Sequence, residues 1–131
     1  MTCLNFRMNL ERQVIMTENG RASRKAIARI RRDLRARTVM YARSAGLVKG
    51  LSRVRVFVRF HWHDPNRRRD VGNWMPTAKP IVDGLVDYGL VPDDSNKFLE
   101  GPFLLAGKET APNLVTWVDV IVEDLDEQEA A

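Results

Sequence analysis

Residues 67–95 read RRRDVGNWMPTAKPIVDGLVDYGLVPDDS, and this stretch organises the expected fold and chemistry of the chain. Three arginines precede Asp70, a helical pattern follows, and Asp93 and Asp94 lie in a turn beyond it. Adjacent carboxylates repel each other unless a positive charge holds them. Magnesium takes hard oxygen ligands, usually one or two carboxylates with water and a substrate phosphate, and arginine binds phosphate well. The order of these groups predicts a metal-dependent phosphodiesterase site on a protein that binds nucleic acid.

Each of these features also has an ordinary structural interpretation. An Asp pair before Ser95 is common in turns, because Asp hydrogen-bonds its own backbone. A run of arginines is most often a solvated surface. Lys79, Asp83 and Asp87 recur every four residues along one side of the helical pattern, so Lys79 and Asp83 could form a structural pair. The hypothesis of a metal-dependent phosphodiesterase site therefore rests on the order and spacing of these features, and not on any one of them alone.

Composition indicates one small globular domain over residues 1–131. Apolar residues make up 44% of the chain and the mean hydropathy is −0.32, while no apolar run is long enough to span a bilayer. The N-terminal residues do not form a secretion signal, because Asn5, Arg7 and Asn9 interrupt them. With the single cysteine Cys3 there is no internal disulfide and no cysteine-based zinc site. A reducing cytoplasm is the expected compartment, without association with a membrane.

Charge is divided unevenly between the two halves of the chain. Residues 1–69 contain 18 Lys and Arg against 4 Asp and Glu, and residues 70–131 contain 3 against 13. A basic half of this strength predicts a phosphate-binding surface. An acidic half would repel a polyanion unless metal neutralises part of it, which favours a nuclease over a plain DNA-binding module. The alternative is that the two halves neutralise each other within or between subunits.

The first half of the chain predicts two strands separated by one long helix. A loose alternation marks a strand near Leu4–Leu10, and a strict alternation of apolar residues with mostly arginine marks another over Ser52–His61. Between them Arg24–Ala45 contains no Gly or Pro, with Ser23 as the N-cap and Gly46 as the stop.

The second half predicts one helix and two further extended segments. The helix begins at Thr77 as its N-cap and carries Pro80 in its first turn, where proline is tolerated. Residues 97–105 form a short strand or bent segment, and residues 114–122 form a final strand. The acidic tail at about 124–131 is expected to be disordered.

Basic side chains concentrate on the long helix, which has Asp33 as its one acid. Solvated helices usually mix both signs for pairing four residues apart, so this excess favours contact with phosphates. The same role is predicted for the arginine face of the second strand. The residues proposed to contact DNA are Arg21, Arg24, Arg31, Arg35, Arg67, Arg68 and Arg69.

Two histidines at the end of the second strand raise one alternative. His61 and His63 would point the same way on a strand, so a zinc pair is a possible arrangement. A third ligand is missing at any recognisable spacing, which argues against that site.

Several elements together resemble the RusA-like family of Holliday junction resolvases. The second half of the chain matches most specifically, and Asn19-Gly20-Arg21 before the basic helix is similar to an Asn-x-Arg element of the family. The matching residues are Asp70-Val71-Gly72-Asn73, Lys79, Asp83-Gly84-Leu85, Gly89 and Asp93-Asp94-Ser95. The resemblance runs from about residue 16 to residue 95.

The resemblance implies a small α/β (α+β) domain, with a mixed β-sheet and two main helices, that forms a homodimer. It implies symmetric cutting of four-way DNA junctions with Mg²⁺ or Mn²⁺, in a bacterial or phage-infected cell. Asp70 and Asp94 match metal-binding carboxylates, Lys79 matches the catalytic lysine, and Asp83 and Asp93 match other characteristic positions.

One position departs from the family pattern. Gly72 stands where the family usually has a third acidic ligand. Either Asp83, Asp93 or Asn73 compensates, or the site binds metal weakly, or the protein is impaired. The alternative functions are therefore a junction-binding protein that no longer cuts, and a nuclease acting on flaps or forks.

Overall fold

A four-stranded mixed sheet with two α-helices forms the α+β fold, in a computed structural model that describes residues 2–126. The strands are β1 (Asn5–Glu11), β2 (Val54–His61), β3 (Leu99–Ala106) and β4 (Val115–Asp124). Their order in the sheet is β1-β4-β2-β3. β4 pairs antiparallel with both β1 and β2, whereas β2 and β3 are parallel. The predicted fold class, a mixed sheet with two main helices, is confirmed.

The long basic helix, α1, spans Arg24–Ala45 as the sequence predicts. The Ser23 side chain accepts a hydrogen bond from the Ala26 N–H, which satisfies one of the free donors at the helix start. Gly46 ends the helix with a left-handed φ of 72°, and its N–H reaches back to the last turn.

The second helix, α2, spans Met75–Tyr88 and begins before its predicted start. A 3₁₀ turn at Val71–Trp74 leads directly into it, so Thr77 is not the N-cap and Pro80 lies in the second turn, not the first. Thr77 is buried, and its hydroxyl accepts from the Met16 N–H and donates to the Met16 carbonyl, both at 2.7 Å. Thr77 therefore ties the segment after β1 to α2.

Alternation on the strands places one face of the sheet against the helices. Val54, Val56, Val58 and Phe60 of β2 are fully buried and share a core with Leu34 of α1 and Ile81 and Leu85 of α2. The other face of β2 carries Arg55, Phe57 and Arg59, which are half-buried. The sheet therefore has one apolar face covered by helices and one charged open face.

The segment predicted as a short strand or bent segment is a strand, whereas the start of the acidic tail differs from expectation. The bent segment is β3, and its pairing with β2 shifts register between Arg55 and Phe57. β4 continues to Asp124 and Leu125 is buried, so the predicted disorder is wrong for the start of the tail. The remainder of that tail, residues 127–131, lies outside the described residues. Among residues 2–126, no helix is long and apolar enough to cross a membrane.

Candidate nucleic-acid and metal site

The arginine run lies on the wall of a concave surface beside the start of α2. A cavity of about 490 Å³ is lined by Arg67, Arg68, Arg69 and Asp70, together with Arg12 from the turn after β1. A neighbouring hollow is lined by Arg21 and Arg31 and shares Ile15 and Thr17 with the first. Folding therefore brings the basic residues of α1 and those of the 67–70 segment to adjacent concave surfaces.

Arg69 is the structural member of the arginine run. Its guanidinium donates to the Asp64 side chain and, at 2.9 Å, to the Asp64 carbonyl, and it lies 4.6 Å from the ring centre of Trp62. The hydrogen bond from Arg69 to the Asp64 carboxylate lowers the pKa of that carboxyl. Arg67 and Arg68 are exposed and have no ion pair within residues 2–126. Arg69 thus anchors the segment, and its two neighbours remain available to an anion.

Asp70 is exposed and forms no ion pair with the arginines beside it, as far as the described residues show. One of its oxygens, Oδ1, accepts a hydrogen bond from the Gly72 N–H at 3.0 Å and so caps the 3₁₀ turn. The Asn73 N–H donates to the Asp70 carbonyl, and the Asn73 carbonyl accepts from Glu18. Gly72 is not in the left-handed region, so its backbone conformation is open to other residues. Asp70 therefore keeps a free carboxylate oxygen on a basic wall.

Lys79 on α2 and Asp94 in the turn after this helix lie close together. Lys79 Nζ lies 3.9 Å from Asp94 Oδ2, and both side chains are about half exposed. Lys79 does not pair with Asp83, since its contact is Asp94, and Asp87 pairs with Arg35 instead. The fold therefore places the lysine of α2 beside a carboxylate of the turn that follows this helix.

The predicted metal ligands Asp70, Asp83, Asp93 and Asp94 do not form a three-carboxylate cluster within residues 2–126. Asp93 accepts from the Ser95 N–H at 2.7 Å, as expected of an Asp in a turn, and Asp83 is half-buried on α2. Within residues 2–126, no three of these four carboxylates offer ligand atoms within 4.8 Å of one another. These carboxylates therefore form no all-protein metal cage in the described part of the chain, and a Mg²⁺ ion here would need a substrate phosphate and water as further ligands.

A different trio does meet that distance criterion: His61, Glu109 and Asp119. Asp119 accepts hydrogen bonds from Arg7 at 2.6 Å, from Arg59 at 3.1 Å and from His61 Nε2 at 2.8 Å. Burial alone would raise the pKa of Asp119, but the hydrogen bonds from Arg7, His61 and Arg59 outweigh it and lower the pKa to about 2. Two guanidinium groups thus already occupy the place of a cation.

Both ring nitrogens of His61 are also engaged. The Glu109 N–H donates to Nδ1 at 3.2 Å, which assigns the ring proton to Nε2, where it faces Asp119. A metal needs a ring nitrogen with a free lone pair, so this trio is a structural ion-pair network. β2 ends at His61, and His63 lies beyond it beside Asp64, at 3.7 Å. His61 is therefore buried against Asp119 while His63 is exposed beside Asp64, because the strand alternation stops before His63.

The network predicts a loss of stability in acid. Because the folded pKa of Asp119 is below its ordinary value, its contribution is complete above about pH 4 and is lost as the pH falls toward 2. We expect Asp119→Asn to lower the free energy of unfolding at pH 7 by about 2 kcal/mol. Urea unfolding at pH 7 and at pH 2.5 should show the difference from the native chain shrinking in acid. The control Asp87→Asn removes the exposed ion pair with Arg35 and should lower the free energy of unfolding by less than about 1 kcal/mol. Equal losses of unfolding free energy for the two variants would contradict this account.

The remaining arginine predictions divide by their partners. Arg21, Arg24 and Arg31 are exposed and unpaired within the described part of the chain, as is required for phosphate contact. Arg35 is engaged by Asp87 at 2.8 Å, and this hydrogen bond raises its pKa. On the open face of the sheet, Arg55 pairs with Glu100 and Glu123. The arginine face of β2 is therefore largely neutralised within the chain, so its predicted role in holding DNA loses its support.

Several residues of the concave surface were not predicted from the sequence, among them Arg12, Trp62 and Leu114. They line the cavity with Asp70, and Arg12 and Leu114 are distant from it in the sequence. Their separation from residues 67–95 hides them from spacing arguments, and only Trp62, next to the predicted strand end, offers a sequence signal.

No protein-family model and no curated protein matches this chain.

Proposed function

We propose that this protein is a metal-dependent endonuclease that acts as a homodimer on branched DNA, with four-way junctions as its main substrate. The observation that carries the proposal is Asp70, a carboxylate with no ion pair among residues 2–126, on a cavity wall that also holds Arg12, Arg67 and Arg68. If Asp70 served only to neutralise these arginines, its carboxylate would form an ion pair with one of them. The arginines can bind a phosphodiester, and the carboxylate can be a ligand of a metal ion that is bound to the same phosphodiester.

Each residue has a distinct role in the proposed reaction. Arg67 and Arg68 hold phosphates of the backbone, largely without reading sequence. Asp70 and Asp94 would hold Mg²⁺ or Mn²⁺, which supplies an activated water and stabilises the leaving oxygen when bound. Lys79, beside Asp94, offsets negative charge on the scissile phosphate in the transition state. A four-way junction has two-fold symmetry, so a two-fold dimer suits paired cuts.

A second candidate function is binding of junctions without cleavage. It is favoured by Gly72, which contributes no carboxylate, and by the missing three-carboxylate cluster among residues 2–126. Incubation of end-labelled four-way junctions, flaps, forks and linear duplex with Mg²⁺ or EDTA separates the candidates. Cuts near the branch that require Mg²⁺ support the nuclease, and the most rapidly cut substrate identifies its target. Tight binding of the junction without cleavage in either Mg²⁺ or Mn²⁺ would support the second candidate, a protein that binds junctions but does not cut them.

Binding itself should depend on the unpaired arginines. We expect the double variant Arg67→Gln, Arg68→Gln to weaken junction binding in EDTA by roughly tenfold or more at low salt. Each lost phosphate contact leaves condensed counterions on the DNA, and their release would otherwise favour binding. The slope of log affinity against log salt should fall by about 2.

Arg55→Gln is the matched control for this binding experiment. Arg55 is held by Glu100 and Glu123 on the open face of the sheet, and its loss should change neither the affinity nor the slope appreciably. If the control weakens binding as much as the double variant, DNA lies on the open face and the proposed surface is wrong.

A further inference from the structure

The cavity beside Asp70 has an aromatic inner wall as well as cationic residues. Trp62 and Trp74 meet edge to face with ring centres 5.2 Å apart, and Arg69 covers the Trp62 ring at 4.6 Å. Both tryptophans line the cavity. Phosphate contact alone needs no aromatic surface, whereas unpaired bases are bound by stacking on such rings and on guanidinium planes.

Trp62 also carries an unsatisfied polar group. The residue is 7% exposed, and its indole Nε1 is buried with no hydrogen-bond partner among the residues described. A buried donor without an acceptor is uncommon in native proteins and costs on the order of 1–3 kcal/mol. An acceptor on a bound ligand that reached this indole N–H, such as a base carbonyl, a ring nitrogen or a phosphate oxygen, would remove that cost.

Leu114 lies at the rim of the same cavity in an unusual conformation. Its φ of 66° is left-handed, and its side chain is 65% exposed. The left-handed backbone conformation costs a leucine on the order of 1–2 kcal/mol, and an exposed side chain contributes no burial free energy that would offset this cost. The Val115 N–H closes the turn onto the Pro112 carbonyl, which holds Leu114 just before β4. The turn thus presents a large apolar side chain beside a basic, aromatic cavity.

We propose that the cavity takes one unpaired nucleotide at the branch point and that Leu114 is the wedge that keeps it out of the base stack. The inference rests on the proposed function, since it specifies which part of branched DNA this surface recognises. Apolar side chains inserted at base steps unstack and kink DNA in proteins that bind the minor groove. Extrusion of a base costs a few kcal/mol in intact duplex and less where pairing is already broken. A wedge and a cavity together would therefore favour branched DNA over linear duplex.

The base of the extruded nucleotide would lie against Trp74, and its flanking phosphates against Arg67 and Arg68. A cavity of about 490 Å³ is within the range of small-ligand sites and is open on one side, where the DNA strand would continue. Cleavage is not needed for this recognition, so it can be measured in EDTA.

Fluorescence of 2-aminopurine tests the wedge directly, because this base brightens when it leaves the stack. Four-way junctions carrying 2-aminopurine at the branch point, or ten pairs away, are titrated with the native chain, Leu114→Gly and Met40→Ala in EDTA. Glycine adopts a left-handed φ freely, so Leu114→Gly removes the side chain without straining the turn. Met40 is also 65% exposed but lies on α1 away from the cavity lining, which makes Met40→Ala the matched control.

The native chain and Met40→Ala should brighten the branch-point probe and leave the distant probe unchanged. Leu114→Gly should lose that increase and bind the junction roughly tenfold more weakly, with a smaller loss on linear duplex. Preferential junction binding with no brightening, or with equal brightening by Leu114→Gly, would overturn the wedge and leave the proposed function standing. If the native chain does not prefer branched DNA at all, the proposed function fails and the wedge fails with it.

Discussion

Asp70→Asn is expected to reduce Mg²⁺-dependent cleavage of a four-way junction by roughly 100-fold or more, because it removes a carboxylate proposed to bind the metal ion. Binding of the junction in EDTA should be unchanged or tighter, since the substitution takes a negative charge away from a wall that faces phosphate. The side-chain amide oxygen of asparagine can still accept the Gly72 N–H, so the 3₁₀ turn before α2 should persist. Single-turnover cleavage and filter binding measure the two effects separately.

Glu100→Gln is the control for Asp70→Asn. Glu100 is a half-buried carboxylate on β3 that pairs with Arg55, away from the residues that line the cavity. Its loss should leave the cleavage rate close to that of the native chain. Cleavage by Asp70→Asn at the native rate, with a folded protein, would mean that the metal site is elsewhere.

Gly84→Ala should destabilise the fold by about 3 kcal/mol, which corresponds to a fall in Tm of roughly 10 °C. Gly84 lies where α2 crosses α1, and a Cβ at this position would be 2.6 Å from the Thr38 Cβ and 2.8 Å from the Arg35 carbonyl oxygen. The neighbouring backbone cannot move aside as a flexible side chain could. The gain in helix propensity from glycine to alanine, about 1 kcal/mol, is too small to offset this overlap.

Gly72→Ala is the matched control for the stability measurement. Its Cβ would meet only Asp70 Oδ1, at 3.2 Å, and its backbone is not left-handed. Its unfolding free energy should change by less than about 1 kcal/mol. Thermal unfolding followed by circular dichroism compares the two variants, and a Gly84→Ala protein as stable as the control would show that the helices are not in such close contact.

Periodicity and caps predicted α1 closely, because helix ends depend on nearby groups such as Ser23 and Gly46. The start of α2 was predicted wrongly at Thr77, whose hydroxyl is used by Met16 in a contact between distant segments. β3 was predicted only as a strand or bent segment, since its shifted register with β2 depends on the pairing itself. Local patterns thus located the elements, and long-range contacts set several of their ends.

The sequence by itself determined the alternating strands, the basic helix and the placement of Asp70, Lys79 and Asp94 on one short stretch, because these depend on spacing along the chain. Only the tertiary structure decided which charges remain free. Strand register aligns Arg7 and Arg59 with Asp119, so part of the basic half is neutralised by the acidic half. Coulomb attraction depends on distance in space, which the order of residues does not specify.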